Sequence, residues 1–215
     1  MLKAERAIER SPLHSVKIHF IGVGGQGTLL ATRIIGELMV KVGRNVVASE
    51  IHGMAQRGGV VESSLLVGDL HSPLIMDGDA DILVGFEPVE ALRAVSKCSS
   101  KTCAVINDTP VIPFTVAIGN STYPTIDHIH DSLGKVCGRV FGIDAEGIAK
   151  GAGSARTLNV VMLGALSALV FPEIGQEMWE DVISSNVPPK VVEINRKAFR
   201  AGRESLSTPV TDSVT

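Results

Sequence analysis

The sequence predicts an α/β fold: a doubly wound, mostly parallel sheet with a helical C-terminal part. Two observations carry that prediction. Short β-branched runs alternate with apolar helical patterns from Val16 to about Asp144. From Gly153 onward the apolar spacing is helical only, in three successive segments.

The bulk composition narrows the class. At 215 residues the chain fits one large domain, and 45% hydrophobic with 20% charged residues describes an ordinary globular protein. A net charge of −3 leaves no electrostatic footprint for nucleic acid or an anionic membrane. The longest apolar stretch, Val160 to Phe171, is too short to span a bilayer. Residues 1–10 mix charges and lack an apolar stretch of signal-peptide type, so a cytoplasmic location is expected. Cys98, Cys103 and Cys137 form no C-x-x-C run, which gives no sequence case for an iron–sulfur or zinc site in this chain. The expected division is an N-terminal arm over 1–15, one domain over 16–204 and a flexible tail over 205–215.

In chain order, Val16 to Ile21 reads as a central strand buried on both faces, with His19 inside it as a satisfied or half-exposed residue. A glycine loop follows, then a helix from Thr28 to Val42. The next strand runs from Arg44 to Glu50. Val60 to Val67 is a strand closed by a turn at Gly68-Asp69. Asp81 to Phe86 and Thr102 to Asn107 are further buried strands, separated by a helix over Val89 to Lys97. Val111 to Ile118 is rich in β-branched residues and reads as an added strand. A helix covers Ile126 to Leu133, where His128 and His130 do not make a clear metal pair. Cys137 to Ile143 is the last expected strand, and Asp144 caps a short helix. The three C-terminal helices run to Phe171, over Ile174 to Ser184 and over Pro188 to Arg200. Asn159 is polar among apolar neighbours, so it should have a hydrogen-bond partner in the fold.

Ligand chemistry in such a fold gathers at the carboxyl ends of strands. Gly22, Gly24 and Gly27 satisfy G-x-G-x-x-G between strand and helix, a Rossmann-like arrangement, and Gly25 and Gln26 complete the loop. Glycines admit close approach, and the N-terminus of the following helix offers unpaired N–H groups to an anion. No Lys follows the last glycine, which excludes a Walker-type phosphate loop. A second segment, Ser49-Glu50-Ile51-His52-Gly53-Met54-Ala55-Gln56-Arg57-Gly58-Gly59, places Glu50, His52, Gln56 and Arg57 in a bend with Gly58 and Gly59. Arg57 offers a planar donor fork for carboxylate or phosphate, and Gln56 can donate or accept. Glu87 and Asn107 sit at other strand ends. Glu87 fits a ligand site and a helix N-terminal charge equally well. No nucleophile–base pair is evident, so no residue is assigned a catalytic role.

These two segments, with Asp81-Ile82-Leu83, Glu87-Pro88-Val89-Glu90-Ala91, Asn107 and Asn159-Val160-Val161-Met162-Leu163-Gly164-Ala165, resemble the gamma-type subunits of the 2-oxoacid:ferredoxin oxidoreductases over roughly residues 16–200. The C-terminal stretch Pro188 to Phe199 is most similar to the indolepyruvate type, in which this subunit is called beta. The resemblance implies a complex in which a 2-oxoacid adds to thiamine diphosphate and loses CO2. Electrons pass through [4Fe-4S] clusters to ferredoxin, and the acyl group goes to coenzyme A. It also implies that a large alpha subunit carries the thiamine diphosphate, its Mg2+ and the clusters, in an α2β2 assembly, with this chain helping to enclose the coenzyme A or active-site region. On the residues alone two alternatives stay open: a stand-alone NAD(P)- or flavin-dependent oxidoreductase built on the glycine fingerprint, and a scaffold domain without a ligand.

Overall fold

In the computed structural model, β1 (Val16–Val23) occupies the middle of the sheet, as its apolar, β-branched sequence demands. The structure describes residues 15–53, 59–69, 72–206 and 209–212. α1 (Thr28–Lys41) returns the chain to β2 (Val46–His52), and a hairpin then leads to β3 (Val60–Val67). β4 (Ile82–Gly85), α2 (Pro88–Arg93), β5 (Cys103–Asn107), α3 (Phe114–Ala117), α4 (Ile126–Gly134) and β6 (Arg139–Ile143) continue the alternation. α5 (Ala145–Ala152), α6 (Leu158–Leu169), α7 (Gln176–Ser185) and α8 (Val192–Ser205) complete the helices, and β7 (Thr211–Asp212) ends the sheet.

The strand order is β2-β3-β1-β4-β5-β6-β7. β1, β4, β5 and β6 pair in parallel. β3 is antiparallel to both β1 and β2, so β2 points the same way as β1 with β3 running against them between the two. The doubly wound plan therefore holds, with one reversed strand inserted where the β2–β3 link is too short for a crossover helix.

Two apolar layers form on the two faces of the sheet. Ile18, Phe20, Ile82, Val84, Val105 and Phe141 pack beneath α1 and α5 to α8. Ile21, Leu83, Ala104, Ile106 and Val140 meet Ala91 of α2 and Ile129 and Leu133 of α4. Each fully buried aliphatic side chain contributes about 1.5–3 kcal/mol. α6 is buried from Asn159 to Ser167 because it is sandwiched between the sheet and α8. The two helices touch at glycines on both sides. A Cβ on Gly164 would collide with the Phe199 and Gly202 backbone, and one on Gly202 with the Val161 backbone.

Three expectations are corrected. Val111 to Ile118 forms no strand. Both edges of β5 are already taken by β4 and β6, and Pro110 and Pro113 remove backbone donors, so the segment is an irregular link carrying the single turn α3. Residues 211 and 212, expected in a flexible tail, pair with β6, and the Val210 N–H donates to the Val140 carbonyl at 2.7 Å. His19 is 3% exposed, yet neither ring nitrogen has a hydrogen-bond partner among the described residues; its Nε2 stands 3.9 Å from Glu62 Oε2.

Candidate functional site

The carboxyl ends of β1, β2, β4, β5 and β6 meet at one end of the sheet, and the glycine loop lies at its centre. Gly25 and Gly27 have φ of 100° and 79°, a left-handed region closed to most side chains. At Gly27 space is short as well, since a Cβ would stand 2.7 Å from Asn159 Nδ2. Asn159 donates to the Gly27 carbonyl at 3.4 Å, the partner its place among apolar residues called for. The Gly24 N–H donates to the Gly59 carbonyl at 2.9 Å, so the two glycine-rich segments are joined through backbone.

Gln26 turns inward. Its Oε1 accepts from Val23 N at 2.8 Å, and its Nε2 donates to the Phe86 carbonyl at 2.8 Å. Asn107 Nδ2 donates to that same carbonyl and to Thr109 O, both at 3.0 Å. One carbonyl thus ties together the ends of β1, β4 and β5. Glu87 is 2% exposed and caps α2 through Glu90 N at 2.9 Å. Its other oxygen accepts from Tyr123 OH at 2.5 Å and from Val111 N at 3.3 Å. Of the two roles the sequence allowed for Glu87, the geometry displays the helix cap, with an anchor for residues 111–123 added to it. Burial and the hydrogen bond to Glu87 push the Tyr123 hydroxyl far above the ordinary tyrosine range.

A recess lies on each side of this central joint. On the α1 and α6 side, a cleft of about 440 Å³ is lined by Gly25, Gln26, Gly27, Ser154, Arg156, Asn159 and Lys190, among others. α1 opens onto it with Gly27 as its N-cap. Among the described residues no side chain caps that helix end and no acid stands in its first turn, which leaves N–H groups and the positive end of the dipole facing the cleft. With Arg156 and Lys190 opposite, the cleft can hold an anionic group such as a phosphate. On the α2 side, a pocket of about 540 Å³ is bounded by Val23, Gly53, Gly59, Val60, Glu87, Glu90, Arg93 and the 111–124 segment.

The predicted site residues are therefore gathered only in part. Gly22 is buried, and a Cβ there would meet Gln26 and Phe86, so it serves the turn. Gly24, Gly25, Gln26, Gly27, Gly59, Glu87 and Asn107 share the central joint or its two recesses. Glu50 is exposed and stands opposite Ser63, and His52 stands opposite Val61 in the β2–β3 register. Gln56, Arg57 and Gly58 lie outside the described residues. The dinucleotide fingerprint fails on topology. In that fold the acidic residue ends the strand next to β1, but here β3 intervenes and β2 is two strand spacings away, about 10 Å. Arg156, Lys190 and Tyr123 went unmarked in the sequence. Arg156 and Lys190 enter the cleft from the starts of two distant helices, and only the pairing of a basic residue with each helix start signalled them.

Four matches with known proteins bear on the chain's identity. A family model described as pyruvate ferredoxin/flavodoxin oxidoreductase matches residues 17–205. The indolepyruvate oxidoreductase subunit IorB of Methanothermobacter thermautotrophicus is 41% identical over 185 residues, covering 86% of this chain and 94% of that protein. The gamma subunit of a keto/oxoacid ferredoxin oxidoreductase from Geobacter sulfurreducens superposes with a TM-score of 0.64 at 26% identity, over 88% of this chain and 97% of the other. The same fold recurs, at 23% identity and a TM-score of 0.68, in the 2-oxoglutarate:ferredoxin oxidoreductase of Magnetococcus marinus, solved with 2-oxoglutarate, coenzyme A and succinyl-CoA. There the match covers 93% of this chain but 32% of the longer one. The chain belongs to the pyruvate ferredoxin/flavodoxin oxidoreductase family.

Proposed function

We propose that the chain is the beta, or gamma-type, subunit of a thiamine diphosphate-dependent 2-oxoacid:ferredoxin oxidoreductase. Its reaction is the oxidative decarboxylation of indolepyruvate or a related arylpyruvate to the acyl-CoA, with reduction of ferredoxin. The observation that carries this reading is the 41% identity to an indolepyruvate oxidoreductase subunit across nearly the full length of both chains. The expected assembly is α2β2, with thiamine diphosphate, Mg2+ and [4Fe-4S] clusters held by the large alpha subunit. The donor set of this chain does not fit a cluster, because Cys98 and Cys137 lie in one apolar layer and Cys103 in the other. No group of three or more His, Cys, Asp or Glu among the described residues fits a metal ion.

What this chain supplies is a binding surface. The basic cleft at Gly25–Gly27, Arg156 and Lys190 suits an anionic part of coenzyme A, and Gln56 and Arg57 are assigned to the same ligand or to the partner's backbone. No proton transfer is assigned to any residue here. The test uses the purified complex. Arg156→Ala with Lys190→Ala should raise the KM for coenzyme A by roughly 10-fold or more, since each lost charge-assisted contact is worth about 1.5–3 kcal/mol. The KM for the 2-oxoacid should stay unchanged, and Arg57→Ala should act in the same direction on coenzyme A or on assembly. An unaltered KM for coenzyme A in the double variant would remove the cleft from the mechanism.

A further inference from the structure

The reaction assigned above uses none of the chain's three cysteines, and all three are buried and free. Cys103 stands apart, in the apolar layer beneath α1, where burial pushes its thiol up to about 11. Cys98 and Cys137 lie together in the opposite layer, with Ala94, Leu133 and Val140. Their two thiols meet in a hydrogen bond.

The backbone around both sulfurs is fixed. Cys98 follows the 3-10 turn Ala94–Lys97; its N–H donates to the Val95 carbonyl at 3.0 Å, and its Sγ stands 4.0 Å from the Ala94 carbonyl oxygen. Cys137 follows α4, and its N–H donates to the Leu133 carbonyl at 2.7 Å. Thr102 then joins the two turns. Its carbonyl accepts from Gly138 N at 3.0 Å, and its Oγ1 accepts from Ser99 N at 2.8 Å. A Cβ on Gly138 would stand 2.4 Å from the Ser100 carbonyl oxygen, so the missing side chain is what lets the turns close this far. Two separate elements thus deliver their thiols to one point and hold them there. Solvent is near on both sides, since Ser100, Lys101, Lys135 and Val136 are exposed.

The pair is unequal. The hydrogen bond from Cys137 holds the Cys98 thiol below the ordinary cysteine range against the effect of burial. The same bond, with burial, pushes Cys137 far above that range. A more acidic thiol beside a second, resolving one is the arrangement that oxidation by peroxide requires.

We propose that Cys98 and Cys137 form a peroxide-responsive dithiol that closes into an intramolecular disulfide. The Cys98 sulfur attacks the O–O bond of hydrogen peroxide, takes one oxygen as a sulfenic acid and releases one water. The Cys137 sulfur then attacks the Cys98 sulfur. The S–S bond forms, and the sulfenic oxygen leaves as a second water with the Cys137 proton. The two thiols lose two electrons and two protons, and the peroxide is reduced to two waters. The bond encloses β5, residues 111–123 and α4 in a covalent ring, which restricts the unfolded chain and so favours the folded one.

The test uses the full chain, purified reduced, treated with hydrogen peroxide, alkylated and digested with trypsin. Cleavage after Lys97, Lys101, Lys135 and Arg139 puts Cys98 in peptide 98–101 and Cys137 in peptide 136–139, both apart from Cys103. Peroxide should join these two peptides through a bond that dithiothreitol reverses. Free thiols should fall from three to one, and the melting temperature should rise until reductant is added. Cys137→Ser should stop at a sulfenic acid on Cys98 that dimedone traps. Cys98→Ser should lose thiols roughly tenfold more slowly or worse, whereas Cys103→Ser should close as the wild type does. The linkage map of the wild type needs no variant to fold. A wild-type chain that keeps all three thiols while free cysteine in the same tube is fully oxidised overturns the proposal. So does a disulfide that joins two chains or that includes Cys103.

Discussion

Burial pulls the His19 imidazole from 6.5 down to about 4, and Lys97 adds to the shift. Its folded value lies below the unfolded one. The neutral ring therefore contributes stability that is full above 6.5 and is lost as the pH falls toward 4, a loss on the order of 3 kcal/mol. His130 has the opposite sign. Its Nε2 meets Asp108 Oδ1 at 2.8 Å, and that hydrogen bond holds its value above 6.5 against the effect of burial. The His130 contribution is full below 6.5 and fades as the pH rises through the raised value. Thermal melts across this range should separate the two. His19→Leu should flatten the acid-side fall in melting temperature, whereas His130→Gln should destabilise in acid and approach wild type in base. If His19→Leu follows the wild-type acid limb, the buried ring is not its cause. At this scale the sequence exposed Asn159 as a residue needing a partner, because one amide stood in an apolar run. It did not expose the two unpaired nitrogens of His19, because whether a histidine in a strand finds a partner depends on the adjacent strands.

Among the elements, the contact of α6 with α8 is set by backbone proximity more than by side-chain bulk. Gly164 and Gly202 each face the other helix's backbone, so a methyl group at either must push the helices apart. Gly164→Ala should cost about 1–3 kcal/mol even though alanine favours a helix, and chemical denaturation of the isolated chain measures it. A variant as stable as wild type would mean the helices slide freely. The buried strands β1, β4 and β5 were legible because each is a short apolar run in a sheet covered on both faces. The segment 111–118 was misread for a related reason. Its β-branched residues have strand propensity, but propensity does not register that β5 has no free edge.

For the whole molecule, the strand order leaves the two sheet edges unequally protected among the described residues. β6 is covered by β7, whereas β2 lies at the other end of the sheet order. Removing residues 207–215 frees the Val140 carbonyl and opens that side. The shortened chain should self-associate more strongly at high concentration, which light scattering would detect; a monodisperse truncated chain would show that β7 guards nothing. Neither feature was readable from sequence. A two-residue strand has no periodicity, and the placement of β3 between β1 and β2 depends on a short hairpin at a point where the glycine fingerprint suggests a crossover.

The carbonyl of Phe86 accepts from both Gln26 and Asn107. Glu87, the next residue, anchors the exposed segment on the other side. The support of Gln26 in the glycine loop and the anchor of residues 111–123 are therefore adjacent links of one chain. Any displacement of residues 111–123 that reaches Glu87 is passed through Phe86 to Gln26 of the glycine loop. Thermodynamic reciprocity fixes the consequence: whatever factor a contact on residues 111–123 adds to the affinity of the glycine loop for an anion, an anion bound at that loop adds to the contact.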